Sequence, residues 1–436
     1  MLSLALRSVR HRPGRFLATL LAAFLGATVV MTFNSLHDTA ARPGVDPASA
    51  DTLGLTAGVV GGYGTLLVFF AIASTLTVTV RQRAAELELL RCSGATPAQL
   101  GRMVVGEAVA VALAGTALAV GPAVLGGRAL LGVFHDGGQV AGSVEHSFGP
   151  VALWSGTGVT LLAAAGAALL AVRRVTRRGP RPTRARRRLA YAALAAGAVS
   201  TCSTFAFSAT DEALMAPAAY GAILLSVGFA LLAARLLTAV TARLPLGGAA
   251  GWLAVRNLRE RAGHLAGILM SLILFTAVST ATLTLQSVES DAVAASGRVK
   301  TVDAKNMETL NLTVVGIIAV FVCLMLVNSL YAATTYRSGE FGRQRLAGAT
   351  PGQVLGTVGA EGALLTVVGV LFGTLAALAG VVPFTVVRTD EVVPDAFLGT
   401  GLAMAAVAAA VTLGTSLATA RRVLRVPAVA AVASTA

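Results

Sequence analysis

The sequence predicts an all-α polytopic membrane protein, with about ten transmembrane helices in two parallel-repeat four-helix units joined by a two-helix insert. Three observations predict this class. The 436 residues are 56% hydrophobic and 12% charged, whereas soluble domains carry roughly a quarter charged residues. Continuous apolar runs of about 20 residues, the length that crosses a bilayer as a helix, recur along the chain. Several polar segments also recur at a nearly constant spacing.

Ten apolar runs have the length of a membrane span. They are continuous rather than alternating, so they predict helices and not a barrel. The first follows several arginines, as a signal peptide would, but its apolar core is too long and it has an internal counterpart, so we expect it to be retained. The runs cover residues 16–36, 54–80, 104–132, 149–172, 189–209, 215–238, 264–285, 310–335, 355–384 and 396–420.

Three matched pairs of segments indicate an internal duplication. LALRSVRHRPG (4–14) matches LAVRNLRERAG (253–263), RAAELELLRCSGATPAQ (83–99) matches RSGEFGRQRLAGATPGQ (337–353), and RRV (173–175) matches RRV (421–423). Residues 1–178 are therefore the first unit, 179–248 a basic linker with the insert, and 249–436 the second unit. Even span numbers give both units one orientation, so we expect a single chain to act as a pseudo-dimer about an axis along the membrane normal.

Arginine placement predicts the orientation. With the N-terminus inside, the inner segments hold most of the 34 lysines and arginines, so the positive-inside rule places both termini in the cytoplasm. Residues 4–15 and 252–261 carry arginine at helical spacing beside Leu and Val, which predicts amphipathic helices on the inner surface; plain flanking charge is the alternative. The arginine-rich run 173–188 predicts contact with lipid headgroups and not with nucleic acid, since no aromatic residues interleave it.

Each copy of the central match predicts a helical elbow between two spans. Residues 84–92 are helix formers, Gly94 ends the helix, and Thr96-Pro97-Ala98-Gln99 supplies the N-cap, N1 and N3 residues of the next one. Residues 337–353 repeat this plan, although two glycines weaken their first helix. A turn with only a capping role is one reading. Three charges match as well, which favours an exposed stripe that docks a cytosolic partner: Arg83/Arg337, Glu86/Glu340 and Arg91/Arg345.

The elbow pattern and the Glu that follows it resemble the FtsX-like (MacB/LolC-type) permease family of ABC transporters, in its duplicated ten-span form. The resemblance covers both four-helix units. It implies a permease subunit of a bacterial inner (plasma) membrane, served by a cytosolic ABC ATPase dimer and in contact with membrane lipids, that exports or extracts a lipid, lipopeptide or amphipathic peptide. It implies ATPase docking at Glu86, Arg91, Gly94, Ala95, Thr96, Pro97, Glu340, Arg345, Gly348, Ala349, Thr350 and Pro351.

The outer loops depart from the family pattern. Relatives carry a large extracytoplasmic domain after the first span of a unit, whereas the equivalent loops here are only about residues 37–53 and 286–309. We therefore expect substrate to enter from the bilayer. Two alternatives stay open: a mechanotransmitter or sensor subunit that relays ATPase strokes to an extracytoplasmic or membrane partner without transport, and a secondary transporter driven by an ion gradient.

Further candidate residues lie in the predicted spans. Glu107 and Glu361 match at the elbow spacing. An ionisable residue at this depth predicts gating or substrate handling, with snorkelling or pairing to Arg102 or a neighbouring helix as the structural alternative. Gly369 and Gly373 form a GxxxG that favours close helix packing, with a chance match as the alternative.

The sequence carries no enzymatic or metal-binding pattern. It has no GxxxxGK[ST] loop, so we expect ATPase activity in a partner chain and no cofactor here. His135 and His146 share one predicted outer loop with Asp136, where solvated histidines are commoner than metal ligands. The three cysteines predict no disulfide, because no pair of them falls on the outer side.

Overall fold

The computed structural model describes residues 17–54, 84–176, 183–209, 214–243, 248–295 and 337–433, with scattered positions between 56 and 76 and between 309 and 335. Most of these residues are helical, and none of them lies in a strand. Eight of their helices are long and apolar enough to cross a membrane, which confirms the all-α polytopic class. The predicted amphipathic helix 4–15 falls wholly, and the predicted span 54–80 mostly, outside the described residues. The predicted span 310–335 is described only at scattered positions.

The chain divides into two compact units. The first comprises Met1–Pro180 and Lys300–Phe321, and the second comprises Arg181–Val299 and Val322–Ala436. The helices of the predicted insert belong to the second of these units. The repeat boundaries at residues 178 and 248 stay a prediction from the sequence.

The first unit contains four helices with described bounds: α1 (Leu17–Ala40), α2 (Ala84–Cys92), α3 (Pro97–Asp136) and α4 (Pro150–Thr176). Helices α1, α3 and α4 pack against one another. Their faces toward each other carry small residues, so that the helices approach closely. The core at the end opposite the elbow is formed by Phe33, Leu36, Leu53, Ala57, Leu131, Phe134, Val140 and Val144.

The loop between α3 and α4 is short and held by its own polar contacts. The carboxylate of Asp38 accepts hydrogen bonds from the amides of Val151 (3.1 Å) and Ala152 (2.8 Å) at the start of α4, where a negative charge is favourable. His146, expected to be solvated, is instead partly buried, and its Nε2 lies 3.0 Å from the Ser35 hydroxyl. The ring is partly shielded from water because the loop folds back over α1, to which it is hydrogen-bonded.

The second unit contains eight α-helices with described bounds. They are α5 (Thr183–Ser203), α6 (Met215–Arg243), α7 (Ala249–Glu260), α8 (Ala262–Ala295), α9 (Ser338–Leu346), α10 (Pro351–Thr389), α11 (Asp395–Leu424) and α12 (Ala428–Ala433). Helix α8 packs on α6, α10 and α11, and α5 packs on α6. The GxxxG of α10 makes the close contact expected of it: a Cβ at Gly373 would lie 2.6 Å from Thr276 Cβ, and one at Gly369 2.5 Å from Leu272 Cβ.

Helix α7 is amphipathic, as predicted. Ala254, Val255 and Leu258 are buried on the face that packs against α10, α6 and α8. On the opposite face the Arg256 guanidinium lies 5.4 Å from the ring centroid of the exposed Trp252. The apolar face is therefore covered by the protein itself. That the helix lies at the inner membrane surface stays a prediction.

Candidate functional site

The two elbows have the same backbone geometry. Gly94 and Gly348 both adopt the left-handed conformation, with φ of 97° and 98°. In each elbow the glycine amide bonds to a carbonyl three residues back, and the following alanine amide bonds to one five residues back. These two bonds form a Schellman motif, which ends a helix sharply and satisfies its last carbonyls. Glycine is required here because a Cβ disfavours this conformation.

A capping box begins the next helix in both copies. The Thr96 hydroxyl accepts from the Gln99 amide at 3.3 Å, and the Gln99 side chain accepts from the Thr96 amide at 2.9 Å. Thr350 and Gln353 repeat these bonds at the same distances. Each short helix therefore joins a helix of 39 or 40 residues through a fully hydrogen-bonded turn. The predicted stop and restart of the helix are confirmed.

The first elbow presents both polar and apolar side chains to solvent. Arg91, Gly94 and Thr96 are exposed and Ala95 is partly buried. Leu89 is 71% exposed, although it lies on a short polar helix. The side chains of Glu86 and Pro97 lie outside what the structure describes. The first elbow therefore exposes one apolar and one cationic side chain next to its turn.

The second elbow departs from the exposed stripe that the sequence predicted. Gly348, Thr350 and Pro351 are exposed and Ala349 is partly buried. Glu340, however, is 21% exposed and bonded to Arg337 and Arg261. Arg345 is partly buried and donates to the carbonyls of Leu424 (3.1 Å) and Val426 (2.8 Å). Both side chains bond to groups of their own unit instead of facing solvent, because α9 packs against α12 and the last residues of α11.

Helix α12 packs on α9, the short helix of the second elbow. Phe341 is 1% exposed and packs with Val354, Val358 and Ala420. A Cβ at Gly342 would lie 2.9 Å from Val432 Cγ2 and 3.0 Å from the Ala428 carbonyl. The glycines that weaken α9 as a helix therefore allow α12 to approach its backbone.

A buried charge network ties the second elbow to a membrane helix. The Arg337 guanidinium donates to both carboxylate oxygens of Glu361, and to both of Glu340 at 3.2 Å. Asn257 of α7 donates to Glu361 Oε1 at 2.7 Å. Arg261 pairs with Glu340 from the α7–α8 junction. Glu361 is therefore held by an ion pair with Arg337 and by the amide of Asn257. These contacts agree with one of the alternatives offered by the sequence, pairing with a neighbouring helix.

Arg337 and Glu340 keep their charges at neutral pH. Burial alone would lower the pKa of Arg337, but Glu361 and Glu340 outweigh it and the pKa is raised above its ordinary value. Burial alone would raise the pKa of Glu340, but bonds and charges from Arg337 and Arg261 hold the pKa of this carboxyl below its ordinary value. Both groups lie at the elbow, outside the spans.

The equivalent site of the first unit is only partly described. Glu107 of α3 is 2% exposed, and like Glu361 it lies eleven residues after the capping threonine. That spacing places each carboxyl about 16 Å along its helix. The equivalent of Arg337 is Arg83, which lies outside the described residues, as does Ser8, the equivalent of Asn257.

A cavity of about 520 Å³ adjoins the network. Asn257, Arg261, Arg337, Glu340 and Glu361 all contribute to its wall. The described residues hold no cluster of three or more potential metal ligands.

Sequence reasoning missed Asn257, Arg261 and α12. Asn257 was detectable as the polar member of an apolar face, between Val255 and Leu258. Gly339 and Gly342 are spaced to share a helix face, which signals close approach of another backbone. No local pattern identifies which backbone approaches.

Comparison with protein-family models matches the FtsX-like permease C-terminal family over residues 58–180 and 312–428, more than half of the chain. Each matched segment contains one elbow and the buried glutamate that follows it. The double match is consistent with a duplicated permease. Comparison with curated proteins finds no match.

Proposed function

Since this chain belongs to the FtsX-like permease family, whose members are membrane subunits of ABC transporters, we propose that its elbows dock a cytosolic ATPase dimer. The chain itself is a multi-pass, non-catalytic subunit. ATP hydrolysis by the partner drives export or extraction of a lipid, lipopeptide or amphipathic peptide.

The observation that carries this proposal is the repeated elbow geometry. Two segments 254 residues apart in sequence share a Schellman motif, a capping box and a left-handed glycine. A turn with only a capping role does not require the exposed side chains of Leu89 and Arg91, which are found on the first elbow. An ATPase dimer has two equivalent faces, which suits two equivalent turns.

The second elbow supports a direct path from partner to membrane. Because its turn is fully hydrogen-bonded, a displacement of α9 is passed to the first turn of α10. The Arg337–Glu361 pair adds a second connection about 16 Å further along α10. Arg261 and Asn257 extend it to α7 and α8. A push on α9 therefore moves three helices together.

The short outer loops support entry of substrate from the bilayer. The α3–α4 loop runs only from Gly137 to Gly149, and its polar groups bond to α1 and to one another. No capture domain is present in the described part of the first unit. An amphiphile reaches a lipid-exposed helix surface without such a domain.

Substitution of the two elbow glycines tests the docking. We expect Gly94→Trp with Gly348→Trp to abolish copurification of a protein that carries a nucleotide-binding loop and hydrolyses ATP. Both sites are open, with no atom within 4 Å of an added Cβ, so the tryptophans project toward the partner. The measurement is affinity purification of the full chain from its native membranes, with the bound ATPase quantified.

The matched control is Gly44→Trp with Gly138→Trp. These glycines also have positive φ, 91° and 67°, and open surroundings, but lie away from the elbows. Backbone strain is thus similar in the two double variants. Equal ATPase recovery from both would contradict docking at the elbows.

A further inference from the structure

The cavity beside the second elbow is polar near α9 and apolar further along the helices. On the α7–α8 junction Arg261 is followed by Leu265 and Ile268, one and two turns away from the elbow. In the segment before α9, Leu330 lies about two turns away from Arg337.

The polar end has an excess of positive charge. Arg261 and Arg337 pair with the two carboxylates of Glu340 and Glu361. Arg343 also lines the cavity, and it is exposed and has no acidic partner within the described residues. Within the described residues, Arg261 uses one of its five donors, on Glu340, and guanidinium nitrogens remain for a second acceptor.

This arrangement matches one ligand chemistry. A cavity with cationic donors at one end and leucine and isoleucine along its length suits an amphiphile with an anionic head and a hydrocarbon chain. Its volume is within the range of ligand pockets, roughly 300–1,000 Å³. Arginine forms strong bidentate bonds to phosphate. In a membrane protein the abundant molecule with both parts is a phospholipid.

We propose that the cavity binds one anionic phospholipid, with its phosphate on Arg343 and Arg261 and an acyl chain along Leu265, Ile268 and Leu330. The bound lipid joins α9 to α8 and so stabilises the second elbow. The inference rests on the membrane placement of the chain and not on ATPase docking, so either can fail without the other.

Native mass spectrometry of the delipidated full chain tests the site, without ATPase. The probes are phosphatidylglycerol, phosphatidylcholine and inorganic phosphate, each titrated separately. We expect one tightly held phosphatidylglycerol, weaker phosphatidylcholine and no retained phosphate. Arg343→Gln should weaken phosphatidylglycerol binding about tenfold or more, the effect of losing one hydrogen bond to a charged group. Thermal melting should rise with phosphatidylglycerol in the wild type and rise less in the variant.

Arg421→Gln is the matched control, because Arg421 is an equally exposed arginine at the end of α11 that does not line the cavity. Its phosphatidylglycerol binding should equal that of the wild type. Equal affinity for the two lipids would overturn the proposal, as would wild-type binding by Arg343→Gln. Retention of inorganic phosphate at the same affinity would also overturn it, since the ligand would then be a free anion.

Discussion

Arg337 satisfies two carboxylates with one guanidinium. It reaches Glu340 three residues away on its own helix and Glu361 on α10, while its own side chain is 11% exposed. An isolated charge at this depth carries a large desolvation cost, whereas a planar group with five donors can hold two acidic partners at once. Lysine could not replace it, because a single ammonium lacks the fork that contacts both oxygens of each carboxylate.

Removing Arg337 should destabilise the second unit strongly. Arg337→Met leaves Glu361 buried, with Asn257 as its one remaining partner among the described residues, so we expect a loss of about 3 kcal/mol or more in unfolding free energy. Denaturant unfolding in detergent measures it. Arg256→Met is the control: its pair with Glu260 is exposed on both sides and should contribute about 1 kcal/mol or less.

A second substitution separates lost charge from lost packing. Arg337→Met with Glu361→Leu removes the unpaired buried carboxylate, while Arg261 still pairs with Glu340. This double variant should be more stable than Arg337→Met alone, because apolar residues can replace a buried pair at little cost. A double variant less stable than the single one would show that Glu361 is needed for some contact other than this pair.

His146 should make the first unit sensitive to mild acid. Burial, helped by the charge of Arg128 and opposed by that of Asp38, lowers the pKa of His146 below its ordinary 6.5. The unfolded chain therefore binds this proton first, so stability present above pH 6.5 is lost as pH falls toward the folded pKa. Melting temperatures between about pH 7.5 and about pH 5 should fall more for the wild type than for His146→Gln. Parallel pH profiles would refute the assignment.

At the scale of elements, the two elbows share a backbone but differ in what covers them. The first exposes Leu89 and Arg91, whereas the second buries Phe341 against α10 and α11 and Gly342 under α12. If an ATPase subunit docks on each elbow, the docking surface of the second elbow either includes α12 or lies beside it. Val429 of α12 is 69% exposed and Leu346 of α9 is 58% exposed, so an apolar surface remains there.

Gly342→Ala tests the role of the close approach. Alanine favours a helix over glycine by roughly 1 kcal/mol, yet the added Cβ would press on Val432 and the Ala428 carbonyl. We expect a net loss of stability and faster amide exchange over residues 426–433. Gly356→Ala is the control in α10, where the nearest atom is 4.0 Å away, and it should be neutral or slightly stabilising. A stabilised Gly342→Ala would show that α12 is not held there.

The sequence predicts the elbows well because their geometry is local. Gly94, Thr96, Pro97 and Gln99 lie within six residues, and each acts on the backbone next to it. The charge network is not predictable in the same way, since Asn257 and Glu361 meet across 104 residues. For the same reason, the prediction that Glu340 and Arg345 lie on an exposed stripe was wrong. A charged residue that occurs in both copies of the repeat does not reveal whether it faces solvent or bonds to another helix.

At the scale of the whole molecule, the arginine distribution and the elbows make one joint prediction about sidedness. The positive-inside rule places the elbows in the cytoplasm, where an ATPase can reach them. Neither the helix bounds nor the family match fixes that orientation. The chain offers a native probe, because Cys92 ends α2 on the first elbow and is exposed.

Thiol labelling of Cys92 decides the orientation. With Cys202 and Cys323 replaced by alanine, a membrane-impermeant maleimide should label Cys92 in inside-out vesicles and not in intact cells. Ser143→Cys, in the exposed α3–α4 loop, supplies the opposite control on a chain that also lacks Cys92. It should be labelled in intact cells, since α3 crosses the membrane between the two sites. Labelling of Cys92 from outside would place both elbows beyond the reach of a cytosolic ATPase and end the coupling proposal. The phospholipid site would stand in either orientation, because both leaflets contain phospholipid.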